Sequence, residues 1–145
     1  MFVSSSWRNP RQLSAVSALR QAGHDVYDFR SPPPKGAAEF SRTDVDPNGR
    51  RSTASGFREV LKDARVLEGF ERDMGAPGEC YALVMVQPCG RSAALELGWA
   101  AGAGKRTIVL LADGEPELML KMADHFCLNV SEVVATLEEI DRLRS

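Results

Sequence analysis

No apolar run in this chain approaches the roughly 20 residues that a membrane-spanning helix needs. Met1-Phe2-Val3 gives way at once to Ser4-Ser5-Ser6-Trp7-Arg8, so neither a secretory signal nor a membrane role is expected, and a cytoplasmic setting is. Cysteine is scarce: Cys80, Cys89 and Cys127 make an odd set without paired spacing, which argues against a disulfide framework and for reduced thiols. Cys80 and Cys89 stand too far apart for a CxxC redox or zinc motif. The two histidines, His24 and His125, lack metal-ligand neighbours, so neither a metal nor a cofactor is expected. Neither GxGxxG nor GxxxxGK[ST] occurs, which lowers dinucleotide and Walker-type NTP binding. A formal charge of −2 gives no reason to expect a surface for a nucleic-acid polymer.

What is present fits one domain spanning residues 1–145, long enough to bury a proper core and too short for two. Phe2 to Ser4 reads as a short buried strand. Asn9-Pro10 reads as helix cap plus first helical residue, with Leu13, Val16 and Leu19 at helical spacing and Gly23 at the C′ position. Asp25 to Phe29 alternates as a second strand, which completes a βαβ unit. Arg30 to Gly56 carries prolines, glycines and charges with little periodicity, and is expected to be an irregular loop or lid. Phe57, Val60, Leu61, Ala64, Leu67 and Phe70 predict a helix over about 57–74, with a break near Leu67 to Gly69, ended by Gly75-Ala76-Pro77-Gly78. Tyr81 to Val86 is a third strand, Ser92 to Ala103 a small-residue helix and Thr107 to Leu111 a continuous apolar strand of the buried parallel type. A short helix over Glu115 to Met122, its Leu118, Met119 and Met122 expected in the core, precedes a strand at His125 to Leu128. Ser131 is expected to cap a last amphipathic helix. Alternating strands and helices imply an α/β fold: about five parallel strands with helices on both faces.

In such sheets ligands gather beyond the carboxyl ends of the strands. Two turns fall there. Pro88-Cys89-Gly90-Arg91-Ser92 leaves the third strand and opens a helix carrying Glu96 among Leu95, Leu97 and Gly98. A carboxylate among apolar neighbours needs a partner or a task; it is a candidate catalytic group, an ion-pair partner for Arg91, or a solvent-facing residue. Asp73, on the preceding helix, could share the work of a two-carboxylate site, one acid protonated and one ionised, or sit on the surface. The other turn is Ser4-Ser5-Ser6-Trp7-Arg8-Asn9. Its hydroxyls, Arg and backbone N–H groups suit a phosphate or a sugar, and Trp7 could stack on a flat base. The alternative makes the serines and Asn9 caps and Trp7 a packed aromatic. Cys89 is a weak candidate for a thiol nucleophile.

With these motifs in place, a resemblance can be stated. An N-terminal strand running into Ser5-Ser6-Trp7-Arg8, a later Asp73, then Pro88-Cys89-Gly90-Arg91-Ser92 and Glu96-Leu97-Gly98-Trp99-Ala100 with Gly104-Lys105-Arg106 resembles the nucleoside 2-deoxyribosyltransferase family, including its 2′-deoxynucleoside 5′-phosphate N-hydrolases. The likeness runs from Met1 to about Leu128, and Tyr81 stands where the family often carries Asp. It implies a doubly wound, flavodoxin- or Rossmann-like three-layer sandwich, a homodimer, and cleavage of an N-glycosidic bond without a cofactor. It implies that Glu96 is the nucleophile and that Asp73 assists the leaving base. The substrate would be a nucleoside or nucleotide held by Ser5, Ser6, Trp7, Arg8, Gly90, Arg91 and Ser92, with hydrolysis favoured over transfer. A non-catalytic nucleotide-binding module is the alternative, and a dinucleotide-cleaving enzyme of the Toll/interleukin-receptor type ranks below both.

Overall fold

The computed structural model describes residues 1–31, 53–115 and 117–145. Most of the expected irregular segment at 30–56 lies outside them. The elements are β1 (Phe2–Ser4), α1 (Arg11–Gln21), β2 (Tyr27–Asp28), α2 (Ala54–Val60), α3 (Ala64–Glu79), β3 (Ala82–Val86), α4 (Arg91–Gly102), β4 (Arg106–Leu110), a 3-10 turn (Leu118–Met122), β5 (His125–Cys127) and α5 (Val130–Arg144). The strands form one five-stranded parallel sheet in the order β2-β1-β3-β4-β5. This is the doubly wound order whose topological switch falls between β1 and β3.

Period-two alternation divides the core into two layers. Val3, Val84, Val86, Ile108 and Leu110 face α1 and α5, where they meet Val16, Leu19, Leu137 and Ile140. Phe2, Leu83, Met85 and Val109 face α4, where they meet Ala93, Leu97 and Ala100. β3 is buried along its whole length, as a central strand covered on both faces should be. Among the described residues no helix is long and apolar enough to cross a membrane.

Glycine ends two helices as its backbone freedom predicts. Gly23 (φ 90°) follows α1, with His24 N donating to Leu19 O and Gly23 N to Arg20 O, the paired bonds of a Schellman motif. Gly104 (φ 72°) closes α4 in the same way, with Lys105 N on Ala100 O and Gly104 N on Ala101 O.

Several expected details are corrected. α1 opens at Arg11, one residue late, although Asn9 still accepts from Arg11 N at 2.9 Å. Leu13 is exposed, because α1 buries Gln12, Ala15, Val16 and Leu19 instead. β2 keeps only two residues. The expected 57–74 helix is two helices: the break falls at residues 61–63, where Asp63 caps α3 by accepting from Arg65 N. α3 runs on through Gly75-Ala76-Pro77-Gly78 to Glu79. Its buried residues are the small Gly69 and Pro77, so Phe57, Leu61, Leu67 and Phe70 stay exposed. Leu118 (85% exposed), Met119 and Met122 lie on the surface, not in the core. The cap of α5 is Asn129, not Ser131. Asn129 Oδ1 accepts from Glu132 N and the Glu132 carboxylate accepts from Leu128 N, reciprocal bonds that Ser131 is too far along to make.

Candidate active site

α4 sets the direction of Glu96. Its buried stripe is Ala93, Leu97 and Ala100, and Glu96 lies three residues after the first and four before the last, on the same side of the helix. Near the start of α4 that side overhangs the ends of β1 and β3. The carboxylate is therefore turned inward. Ser4, fully buried at the end of β1, donates its hydroxyl to Oε2 of Glu96. The partner of Glu96 is thus Ser4 and not Arg91, which is exposed at the first position of α4.

Three influences act on that acid. Burial pushes the Glu96 carboxyl above the ordinary carboxylate range, the Ser4 hydrogen bond pulls it back in part, and the charge of Asp73 raises it again. Asp73 therefore lies within Coulombic reach of Glu96 from the neighbouring helix. It sits inside α3, six residues before the helix ends, with its side chain 58% exposed and Arg72 3.9 Å away. Crowding by neighbouring atoms still lifts its pKa, against the opposing charge of Arg72. Pro77 has no N–H to give the Asp73 carbonyl four residues earlier, so the helix loses a bond beside the acid. Tyr27, stacked on Phe2 at 5.5 Å, also feels Asp73: burial first, then that charge, raises its phenol pKa. Burial and the nearby charge of Glu96 keep the Cys89 thiol protonated, against a nucleophilic role.

The two turns are stitched together. Ser5 Oγ donates to Val86 O at 2.8 Å, and Asn9 Nδ2 donates to Val86 O at 3.0 Å and to Ser5 Oγ at 2.9 Å. Arg11 Nη1 donates to Gln87 O (2.8 Å) and Leu111 O (3.0 Å), tying the first turn to the ends of β3 and β4. Ser5 and Asn9 thus hold the frame, while Ser6, Trp7, Arg8, Gly90, Arg91 and Ser92 face outward along the rim. Trp7 is 52% exposed and meets Phe29 edge-on at 5.2 Å, so one face is open. A cavity of about 1040 Å³ adjoins this rim beyond Arg11 and Gln87, and is lined by Leu111, Leu118, Phe126 and Leu128 among others. A second, of about 1070 Å³, runs between β2 and α3 past Tyr27 and Arg72. Neither is lined by Glu96.

Tyr81 lies at the opposite edge of the sheet, just before β3. Its hydroxyl donates to Asp141 Oδ2 at 3.3 Å, Arg144 lies over its ring at 4.0 Å, and burial with that hydrogen bond pushes its pKa up to about 12. Its departure from the resembled pattern therefore falls away from Glu96. Ser4, read from the sequence only as part of the first turn, is the hydrogen-bond partner of Glu96. Its one signal is a hydroxyl ending an apolar strand, and only the β1–β3 pairing discloses its partner.

The architecture is that of a doubly wound parallel α/β protein with its polar residues gathered at the β1–β3 switch. Comparison with solved structures gives it a counterpart: the 2-deoxyribosyltransferase of Bacillus psychrosaccharolyticus superposes with a TM-score of 0.52 at 19% identity, over 92% of this chain and 88% of that one. The likeness is one of fold. No protein-family model matches the chain. No curated protein matches it.

Proposed function

We propose that this protein cleaves the N-glycosidic bond of a nucleoside 5′-monophosphate or a nucleoside and passes the sugar to water. The reading rests on one observation above all: Glu96 is turned inward at the switch point and held there by the Ser4 hydroxyl, with Asp73 within charge range. The fold shared with a 2-deoxyribosyltransferase supports it.

In this mechanism an ionised Glu96 oxygen attacks the anomeric carbon as the C–N bond breaks. The bonding pair leaves with the base, and Asp73 supplies a proton to it. Water then attacks the glycosyl ester, gives its proton to the Asp73 carboxylate and releases Glu96 as carboxylate, so that substrate and water become free base and sugar and both acids return to their starting states. Two carboxyls with raised pKa values, coupled through space, suit a pair in which one is charged and the other protonated. Arg8, Arg91, Ser6 and Ser92 supply cations and hydroxyls for a 5′-phosphate at the α4 N-terminus, whose cap is Gly90. The open face of Trp7 suits the base. Transfer between free nucleosides has no need of Arg8, which favours hydrolysis of the phosphorylated substrate. A second copy of the chain is proposed to cover the exposed Leu95, Trp99, Leu118 and Met122.

The test is to incubate the protein with a panel of nucleosides and their 5′-monophosphates and to resolve free base by chromatography. Release that is faster from the monophosphates is expected. Equal release from both would remove the phosphate preference, and tight binding without release would make the protein a nucleotide-binding module.

A further inference from the structure

We infer that Arg30 is a positioning residue for the substrate-binding turn, an inference that rests on the reading just given. One guanidinium nitrogen of Arg30, Nη2, donates to three backbone carbonyls of that turn: Ser6 O at 2.8 Å, Trp7 O at 2.6 Å and Asn9 O at 2.9 Å. The arginine comes from the other side of the first βαβ unit, just beyond β2.

Its own backbone is anchored from below. Arg30 N donates to Asp28 Oδ1 at 3.0 Å, and the same oxygen accepts from Gln12 Nε2 at 2.7 Å, with both Asp28 and Gln12 buried. Asp28 thus ties the Arg30 backbone to α1. Arg30 Nε is buried with no partner among the described residues. A buried unpaired donor is costly, and the carbonyl clamp offsets that cost.

The consequence for the turn is directional. A peptide group whose carbonyl faces the cation turns the N–H of the next residue the other way: that of Trp7 for Ser6 O and that of Arg8 for Trp7 O, while Asn9 O belongs to the Pro10 peptide, which has no N–H. Asn9 N and Arg8 N are bonded within the turn, to Ser6 O and Ser6 Oγ. The N–H groups of Ser6 and Trp7 donate to no group among the described residues. Carbonyl oxygens left facing the rim would repel an anion. Arg30 turns them away and neutralises them, and so lets Ser6, Trp7 and Arg8 receive one. It acts through the turn and touches no reacting atom. It also approaches the Phe29 ring, 6.0 Å from its centroid, which is the ring that steadies Trp7.

The test compares the full chain with Arg30→Ala and Arg30→Lys. For Arg30→Ala the KM of a nucleoside 5′-monophosphate should rise about tenfold or more with kcat within about threefold, since a preformed binding surface is lost and the reacting groups are not. Methylguanidinium added to Arg30→Ala should restore KM. Arg30→Lys covers the case in which alanine fails to fold. Its single ammonium cannot reach the three carbonyls in the same plane, so KM should rise by a smaller factor. A folded Arg30→Ala with unchanged KM overturns the inference, and so does an equal fall in kcat without guanidinium rescue. A separate arm uses inorganic phosphate as the probe and follows the backbone amide signals of Ser6, Trp7 and Arg8. Phosphate-dependent shifts present in the wild type and lost in Arg30→Ala sustain the inference even if no base is ever released. No shift in the wild type overturns it.

Discussion

Ser4 and Glu96, 92 residues apart in the chain, are joined by a hydrogen bond from the serine hydroxyl to Oε2 of the carboxylate. β1 carries the donor and α4 the acceptor, so the bond spans the point where the winding of the sheet reverses. It holds the carboxylate over the strand ends and favours its ionised form against a burial that opposes it.

Ser4→Ala should therefore weaken catalysis in a pH-dependent way. The serine bond lowers the Glu96 pKa, and its loss raises it further above the ordinary carboxylate range. The nucleophile must be charged, so the acid limb of the kcat/KM profile should move to higher pH. The rate at pH 7 should fall about tenfold, the scale of one hydrogen bond to a charged group. Ser4 is small and buried, so alanine fits its space. An unmoved limb would remove Ser4 from the site.

Glu96→Gln and Glu96→Ala should each lose base release by about a thousandfold or more, as for the loss of a covalent nucleophile. Stability provides a second readout. A folded-state pKa raised above the unfolded value means that Glu96 contributes stability below the unfolded pKa and loses it as pH rises through the folded pKa. Glutamine never ionises. Thermal melts should therefore show Glu96→Gln above wild type near pH 8, with the gap closing below about pH 4.3, the ordinary pKa of glutamate. A gap that persists at low pH would mean that the difference does not come from ionisation.

How much of this was readable in advance follows from the range of each signal. β1, β3 and β4 are apolar runs whose burial depends only on their own composition, and the Pro/Gly turn before α4 marks its own start. Glu96 stood out because a carboxylate among Leu95, Leu97 and Gly98 is locally anomalous. α2 and α3 misled because apolar spacing implied a buried face, whereas α3 packs through Gly69 and Pro77 and leaves Leu67 and Phe70 in solvent. Pro77 reads as a terminator, yet it is tolerated in the last turn, where the Cys80 N–H bonds back to its carbonyl. Ser4 and Arg30 were illegible for another reason. Their meaning lies in partners that only the 2-1-3-4-5 strand order brings close.

Asp73→Asn should abolish the basic limb of the kcat/KM profile. In the proposed mechanism Asp73 acts in its protonated form while Glu96 is charged, burial already raises the Asp73 pKa, and asparagine has no proton to lose. The same variant loses the proton donor, and kcat should fall most for substrates whose base leaves poorly without protonation. The two effects separate in pH profiles measured with a good and a poor leaving base. A uniform fall with the basic limb still in place would put Asp73 outside the coupled pair.

Arg8→Ala tests the phosphate. Arg8 is exposed on the rim beside Ser6, so its interaction with an anion is partly screened by water. Its loss should raise KM for a nucleoside 5′-monophosphate about three- to tenfold and leave the free nucleoside unchanged, because only the former presents a charge to it. Added salt should narrow the difference in the wild type and have less effect in the variant, since the attraction being screened is already gone. The fold should be indifferent, as the side chain is solvated and Arg30 and Asn9 hold the turn from within. An equal rise in KM for nucleoside and nucleotide would show that Arg8 acts on the sugar or the base, and would return the choice between water and a second base as acceptor to direct competition between the two.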